Sequence, residues 1–270
     1  ETKILSIQSL NSMRYINGRI KMDLKKTDKD GKPLNLTPKA NRSQTDYYSY
    51  WKENPEQLEP SAEDIKCELQ LAALGDFEPL HMPFDDHLFR QQIRAQEFVP
   101  YLRREGISND REGLLLVGLE GDKPSDSLSR PEAIKRAGRM LYESDFKYPT
   151  EAYHDLTSLH PILDYWGGLA RTMIIRANAG GWFPPHRDSP FLARDTFRII
   201  TFLGNGSNMH SYEWWLGESR RTIVANQTYY VDTRLTHRTH SWCDDSLHLI
   251  LNVPKTWENV MKLMSVLKFY

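Results

Sequence analysis

The length and charge of the chain limit the classes of protein to which it can belong. Its 270 residues suffice for one large domain, alone or with an extension. Lys and Arg total 35 against 36 Asp and Glu, so the basic excess that attracts nucleic acids or anionic membranes is absent. Two cysteines are too few for a disulfide framework, and no apolar run approaches the roughly 20 residues of a membrane-spanning helix. We therefore expect a cytoplasmic protein with free thiols that binds neither nucleic acid nor a membrane.

Residues 1–80 predict an N-terminal extension that packs on the rest of the chain, and their sequence assigns it no role. Turn-rich sequence, including an Asp-Gly pair within residues 26–33, separates short apolar stretches. A helix is predicted over residues 61–75, because Ser61 is followed three positions later by Asp64 in the pattern of a capping box. The glycine at the end of this range marks the end of the helix.

The remaining residues, 81–270, predict one domain that begins with helices. Residues 85–104 place apolar side chains among charges at a spacing compatible with a helix, which Pro100 is expected to kink or end. Residues 130–144 are a second helix candidate, with Pro131 in the first turn.

From residue 171 onwards the pattern changes to short β-type runs. Strands are predicted at residues 172–176, 197–203, 213–216, 228–231 and 247–253. Turns rich in Gly, Asn and Asp separate these runs, which favours a barrel or double sheet, and a jelly roll is the version that holds metal sites between its sheets. The predicted fold is therefore mainly β with flanking helices (α+β). It has a jelly-roll core at about residues 171–253 and a C-terminal helix at residues 257–269.

One short motif brings together two kinds of metal ligand. His186 and Asp188 follow two prolines, Pro184 and Pro185, between two predicted strands. On an extended backbone, residues i and i+2 point to the same side, so this imidazole and this carboxylate can bind one ion. The prolines restrict the backbone and reduce the ordering entropy that metal binding must overcome. Such a pair also occurs by chance in surface loops, so the prediction of a metal site depends on a third ligand.

Two histidines near the last predicted strand are candidates for the third ligand. His237 and His240 both precede residues 247–253. Two histidines and one carboxylate on one face of a metal leave the opposite face open, and non-haem Fe(II) oxygenases use this facial triad. The open positions suit a bidentate cosubstrate and O₂.

The order of these features resembles that of the Fe(II)/2-oxoglutarate-dependent oxygenases, in particular the branch of aspartyl/asparaginyl β-hydroxylases and proline hydroxylase-like enzymes. The resemblance covers about residues 171–253. It consists of a strand and a Gly-containing turn, Pro-His-x-Asp at residues 185–188, a strand that carries Arg198, an Asp-Thr-x-x-x-His motif at residues 232–237, and an apolar closing strand. It implies a double-stranded β-helix core, which is the jelly-roll form also found in cupins.

The resemblance also implies a set of site residues and a reaction. His186, Asp188 and His237 would be both the metal ligands and the catalytic residues, because the motif spacing selects His237 over His240. Fe(II), 2-oxoglutarate and O₂ would hydroxylate an unactivated C–H bond, with release of succinate and CO₂. The carboxylate of Asp188 argues against halogenation, because halogenating relatives replace it by a small residue. The substrate would be amino-acid-like, either a small molecule or a peptidyl side chain.

The chain departs from the family pattern at the residue that binds the distal carboxylate of 2-oxoglutarate. The resemblance implies an arginine on the closing strand, where this chain has Leu247, His248 and Leu249. His248 is the nearest candidate, and its affinity for the carboxylate would depend on pH because only a protonated imidazole is a cation. Arg198 is the rival, since a guanidinium can bind a carboxylate through two hydrogen bonds, although a strand arginine can also simply face solvent.

Aromatic residues near the motif are candidates for a cavity wall. Trp182 and Phe183 directly precede the two prolines, although aromatic residues beside a strand more often serve packing. Trp214 and Trp215 are neighbours on a predicted strand, so we expect one of them in the core and the other toward solvent or substrate.

Two other functions are compatible with the motif. A cupin-like metalloenzyme would bind a metal through the same residues without using 2-oxoglutarate. A non-catalytic jelly-roll binding protein would keep the histidines for structural reasons. Succinate formation distinguishes a dioxygenase from the first, and metal binding distinguishes it from the second. The sequence leaves the oligomeric state open.

Overall fold

The computed structural model of the protein describes residues 13–16, 19–22, 61–101, 110–126, 128–188, 195–204, 208 and 210–268. The chain divides into two compact units, Glu1–Asn54 and Pro55–Tyr270. In the first unit, strands β1 (Met13–Ile16) and β2 (Arg19–Met22) pair in antiparallel orientation. The turn predicted within residues 26–33 lies outside the described residues.

The second unit is built from antiparallel strands with helices around them. Its helices are α1 (Ala62–Leu74), α2 (Asp86–Ile93), α3 (Arg130–Ala137), α4 (Glu151–Asp155), α5 (His160–Leu163) and α6 (Trp257–Ser265). Its strands are β3 (Phe77–Leu80), β4 (Val99–Pro100), β5 (Arg111–Gly118), β6 (Tyr148–Pro149), β7 (Thr172–Ala177), β8 (Trp182–His186), β9 (Thr196–Leu203), β10 (Tyr212–Leu216), β11 (Ser219–Arg221), β12 (Gln227–Val231), β13 (His237–Ser241) and β14 (Ser246–Pro254). In the part of the chain that the structure describes, no helix is both long and apolar enough to cross a membrane. Both Cys67 and Cys243 are free thiols, as predicted.

The strands of the second unit form two antiparallel sheets that pack face to face. The larger sheet has the order β3-β12-β9-β14-β7-β5-β4, with β6 paired to β5, and the smaller sheet has the order β11-β10-β13-β8. Between the sheets, Ile200 and Phe202 of the larger one pack in a buried cluster with Tyr212 and Trp214 of the smaller one. Two facing sheets of this kind form a double-stranded β-helix, so the predicted fold class is confirmed.

The larger sheet is covered on both faces. Leu247 and Leu249 of β14 belong to a buried cluster that includes Leu71 of α1 and Leu263 of α6. His248, between them in sequence, faces the interior between the two sheets. Because both faces are covered, this strand reads as an almost continuous apolar run in the sequence.

Most of the predicted elements are confirmed. Helix α1 begins at the N-cap Ser61, which forms a capping box with Asp64, and its C-cap is Gly75. The five predicted strands correspond to β7, β9, β10, β12 and β14, and α6 corresponds to the predicted C-terminal helix. Both α1 and β3 lie within the first 80 residues and belong to the second unit, where β3 pairs with β12. The chain divides between Asn54 and Pro55, ahead of these elements.

Two predicted helices, α2 and α3, are shorter than expected, and several strands have no counterpart in the prediction. Helix α2 ends at Ile93, ahead of the end expected at Pro100, and the prediction was wrong for residues 94–101, where Val99–Pro100 pairs with β5 as strand β4. Residues 102–104 of the predicted helix lie outside the described part of the chain. Helix α3 stops at Ala137, since Gly138 adopts a left-handed backbone (φ 64°) that ends it. The longest of the unpredicted strands is β5, whose apolar residues 114–117 are bounded by glycines, a pattern typical of a buried strand.

Candidate metal centre and its cavity

Three side chains with metal-ligand atoms converge at one end of the smaller sheet. Strands β8 and β13 pair so that His186 lies directly opposite His237. Asp188 follows β8, and its backbone N–H donates a hydrogen bond to the carbonyl oxygen of Thr233 at 3.0 Å. One ligand atom of each of His186, Asp188 and His237 lies within 4.8 Å of the others. The structure therefore brings together the three residues that the sequence predicts as metal ligands.

Backbone hydrogen bonds orient both imidazole rings. Nδ1 of His186 lies 2.9 Å from the carbonyl oxygen of Pro184, and Nδ1 of His237 lies 3.0 Å from that of Leu235. A carbonyl oxygen only accepts, so each Nδ1 carries the hydrogen and each Nε2 keeps its lone pair. Nε2 of His186 lies 3.8 Å from Oδ1 of Asp188. This tautomer, with the second ring nitrogen donating to a carbonyl, is the form in which histidine binds a metal.

The charge states of the three residues suit a divalent cation. Burial, followed by the neighbouring His237 ring, lowers the pKa of His186 to about 4, and burial also lowers the pKa of His237. Burial by itself would raise the pKa of the Asp188 carboxyl. The Arg198 guanidinium, 3.1 Å from Oδ2, acts against burial together with the two histidines and a hydrogen bond from Thr233, and the net pKa is lowered. At neutral pH the site therefore offers two neutral imidazoles and one carboxylate, the donor set of Fe(II) facial triads.

The three residues border an internal cavity of about 130 Å³. The Trp214 ring stacks on the His237 ring, with centroids 5.7 Å apart and an angle of 6° between the planes. The Phe183 and His186 rings make an edge-to-face contact with centroids 4.0 Å apart. Met173, Ile175 and Ile250 provide apolar wall. Of the four aromatic residues considered from the sequence, Phe183 and Trp214 thus line the cavity. Packing against the imidazoles keeps their orientation fixed.

His240 lies on the other face of the smaller sheet. Residues of β13 alternate between the two faces, so His237 points inward and His240 points outward. The His240 ring lies 4.2 Å from the Trp242 ring, and His240 lines an outer groove together with Trp182 and Trp215. The structure therefore does not bring His240 together with His186 and Asp188.

The two residues predicted to bind 2-oxoglutarate both line the cavity, and each has other contacts. Arg198 of β9 holds Oδ2 of Asp188 at 3.1 Å, so its guanidinium is engaged by a candidate metal ligand. His248 is 2 % exposed, and its ring lies 4.0 Å from that of Tyr212. Burial, followed by the charge of Arg111, lowers the pKa of His248 to about 3, so this ring is neutral at physiological pH.

The low pKa of His248 predicts an acid-dependent loss of stability. Its ordinary pKa of about 6.5 in the unfolded chain exceeds the folded value, so below pH 6.5 unfolding takes up a proton and becomes more favourable. In urea denaturation, we expect this residue to lower the free energy of unfolding by about 1–2 kcal/mol between pH 7 and pH 5. His248→Phe should remove that part of the decrease, whereas an unchanged pH dependence would contradict a neutral buried imidazole.

Two further arginines line the cavity without having been predicted from the sequence. Arg171 forms a buried bidentate ion pair with Glu143, with N–O distances of 2.9 and 3.0 Å. Arg111 is the first residue of β5 and is 7 % exposed. The glycine-bounded apolar run of β5 was the available signal for a buried strand. Nothing in that run indicates that the arginine ahead of it faces a cavity.

Comparison with known proteins finds similarity to solved structures. No family model matches the chain, and no curated protein is significantly similar to it. An oxidoreductase of the 2OG-Fe(II) oxygenase family from Burkholderia pseudomallei is 14 % identical, with 73 % of this chain and 92 % of that one covered at a TM-score of 0.39. A prolyl hydroxylase from Trichoplax adhaerens, in complex with a hypoxia inducible factor oxygen degradation domain peptide fragment, is 12 % identical, with 74 % and 93 % covered at a TM-score of 0.40.

Cupins also have similar structures. An RmlC-like cupin from Desulfovibrio desulfuricans is 12 % identical, with 32 % of this chain and 71 % of that one covered at a TM-score of 0.24. These similarities concern the fold alone.

Proposed function

We propose that the protein is an Fe(II)- and 2-oxoglutarate-dependent dioxygenase that hydroxylates an unactivated C–H bond. The observation that carries this proposal is the convergence of His186, Asp188 and His237, with both imidazoles held in the metal-binding tautomer beside a cavity. These three ligands on one face of an ion leave the opposite face open for a bidentate cosubstrate and O₂. The substrate is amino-acid-like, free or peptidyl, and the protein acts in the cytoplasm, where its thiols stay reduced.

The residues around the triad supply orientation and charge. When bound, the Fe(II) and 2-oxoglutarate pair consumes O₂, releases succinate and CO₂, and places one oxygen atom in the C–H bond of the substrate. The carbonyl groups of Pro184 and Leu235 keep the imidazole lone pairs available. Arg198 binds Oδ2 of Asp188, which keeps the carboxylate ionised and leaves Oδ1 facing His186. Such outer contacts support metal affinity because they fix ligand orientation before the ion binds.

An anaerobic titration tests the proposal directly. Protein loaded with Fe(II) is titrated with 2-oxoglutarate while the visible metal-to-ligand charge-transfer band is followed, and O₂ is then admitted for a succinate assay. We expect the band to appear and succinate to form slowly without substrate. Metal binding with neither signal would favour a cupin-like metalloenzyme, and absence of metal binding would favour a non-catalytic jelly-roll protein.

The ion pair between Arg198 and Asp188 predicts a positioning role for the arginine. We expect Arg198→Gln to weaken Fe(II) binding about 10- to 100-fold, because Oδ2 of Asp188 loses its partner. Arg198→Lys retains the charge and should restore most of the affinity. Anaerobic metal titration measures both variants. Unchanged metal affinity with weakened 2-oxoglutarate binding in Arg198→Gln would instead make Arg198 the cosubstrate anchor.

A further inference from the structure

The closing strand β14 provides no cation for the cavity. Leu247, at the position where the resemblance implies arginine, packs in the core on the outer face of the larger sheet. The inward-facing positions beside it are Ser246, which has no charge, and His248, whose burial keeps it neutral. A dicarboxylate in this cavity therefore needs a cation from another element.

Strand pairing places Arg111 in the same row of the sheet as Ser246. Ser246 of β14 lies opposite Ala177 of β7, and Ala177 lies opposite Arg111 of β5. Residues directly opposite each other in antiparallel strands point to the same face of the sheet. Arg111 therefore emerges on the interior face, and it lines the cavity together with His248. Among the residues that lie side by side across these three strands, the closing strand β14 thus contributes the uncharged Ser246, and β5, two strands away, contributes Arg111.

Two aromatic rings contact the Arg111 side chain. The Arg111 guanidinium carbon lies 4.2 Å from the centroid of the Phe183 ring and 4.9 Å from that of the Tyr101 ring. Aromatic rings stabilise a guanidinium at its faces, whereas carboxylates bind along its N–H edges. The two rings therefore fix the position of the Arg111 side chain at the cavity wall, and a carboxylate ligand would bind along an N–H edge.

The position of Arg111 relative to the metal centre suits a short dicarboxylate. The Phe183 ring that contacts Arg111 also contacts the His186 ring, at a centroid separation of 4.0 Å. The positive charge of Arg111 also acts on the pKa of His248 and Tyr212, both of which line the cavity. In 2-oxoglutarate two methylene groups separate the metal-chelating 2-oxo acid from the distal carboxylate. One molecule can therefore extend from the metal toward Arg111.

On the basis of the proposed function, we infer that Arg111 binds the distal carboxylate of 2-oxoglutarate, in place of an arginine on the closing strand. The cation that the resemblance implies on β14 is thus supplied by β5, two strands away in the same row of the sheet. A guanidinium at this position binds a carboxylate by two charge-assisted hydrogen bonds. Arg111 is accordingly a binding residue that selects dicarboxylates over simple 2-oxo acids.

The test compares two 2-oxo acids in the Fe(II)-loaded protein without O₂. 2-Oxoglutarate and pyruvate, which lacks the distal carboxylate, are each titrated into wild type, Arg111→Gln and Arg111→Lys, with the charge-transfer band as readout. We expect Arg111→Gln to raise the Kd for 2-oxoglutarate about 10- to 100-fold and to leave the pyruvate Kd unchanged. Arg111→Lys keeps the charge, so it should fold like wild type and show a smaller increase.

Arg176→Gln is the matched control, because Arg176 lies on β7 but pairs with Glu112 on the opposite face of the sheet. It should bind both acids like wild type. An unchanged Kd for 2-oxoglutarate in both Arg111 variants would overturn the inference while leaving the proposed function intact. Equal loss of pyruvate and 2-oxoglutarate binding would also overturn it, since that result indicates a structural role. If wild type binds Fe(II) but shows no band, the proposed function itself fails.

Discussion

Replacing His186 by alanine is expected to abolish turnover and to weaken Fe(II) binding by more than about 100-fold, because loss of a ligand exceeds the effect of losing an outer-sphere contact. Only Asp188 and His237 would remain to hold the ion. Burial keeps His186 neutral, so no charge is removed and the fold should persist. Anaerobic Fe(II) titration, far-UV circular dichroism and a succinate assay measure binding, fold and turnover in turn.

His240→Ala is the control for this prediction, since His240 lies on the same strand as His237 but faces the outer groove. Its metal affinity and turnover should match those of wild type. A folded His186→Ala protein with near-normal turnover would eliminate the triad. Loss of metal binding in His240→Ala would show that the outward-facing histidine is the third ligand.

Removing Glu143 is expected to have the largest effect on stability, lowering the free energy of unfolding by about 3–5 kcal/mol. Glu143 is 2 % exposed, and it accepts hydrogen bonds from Arg171 at 2.9 and 3.0 Å and from Asn252 at 3.2 Å. Glu143→Ala would leave the buried Arg171 guanidinium without this carboxylate. Since Arg171 and Asn252 both line the cavity, the variant should also weaken binding of the proposed cosubstrate, 2-oxoglutarate. Urea denaturation at neutral pH measures the loss of stability.

Glu112→Ala provides a comparison with a partly exposed ion pair of the same composition. Glu112 lies 2.6 Å from Arg176, and each side chain is 27 % exposed. Water already solvates much of this pair, so we expect its loss to cost less than about 1 kcal/mol. Similar destabilisation by Glu143→Ala and Glu112→Ala would contradict the assignment of a buried, structurally essential ion pair to Glu143 and Arg171.

The parts of the fold that follow from local patterns could be predicted. Alternating or continuous apolar runs indicated β7, β9, β10, β12 and β14, and the Ser61 capping box indicated α1. Residues 99–100 form a strand because they pair with β5, and a local window of sequence does not contain that partner. The end of α3 at Gly138 is different, because a left-handed glycine after a helix is a local signal, which the longer predicted helix passed over.

By itself, the sequence determined which side chains can act as metal ligands and how they are spaced, because these depend only on residue identity and the two-residue repeat of a strand. The tertiary structure decided which of them meet. Pairing of β8 with β13 placed His237 opposite His186 and turned His240 outward. The tertiary structure also decided which basic side chains carry a charge in the cavity. Asp188 engages Arg198, burial keeps His248 neutral, and strand pairing through β7 brings Arg111 to the cavity. The charge and availability of a buried group depend on neighbours from distant parts of the chain, and folding alone brings those neighbours together.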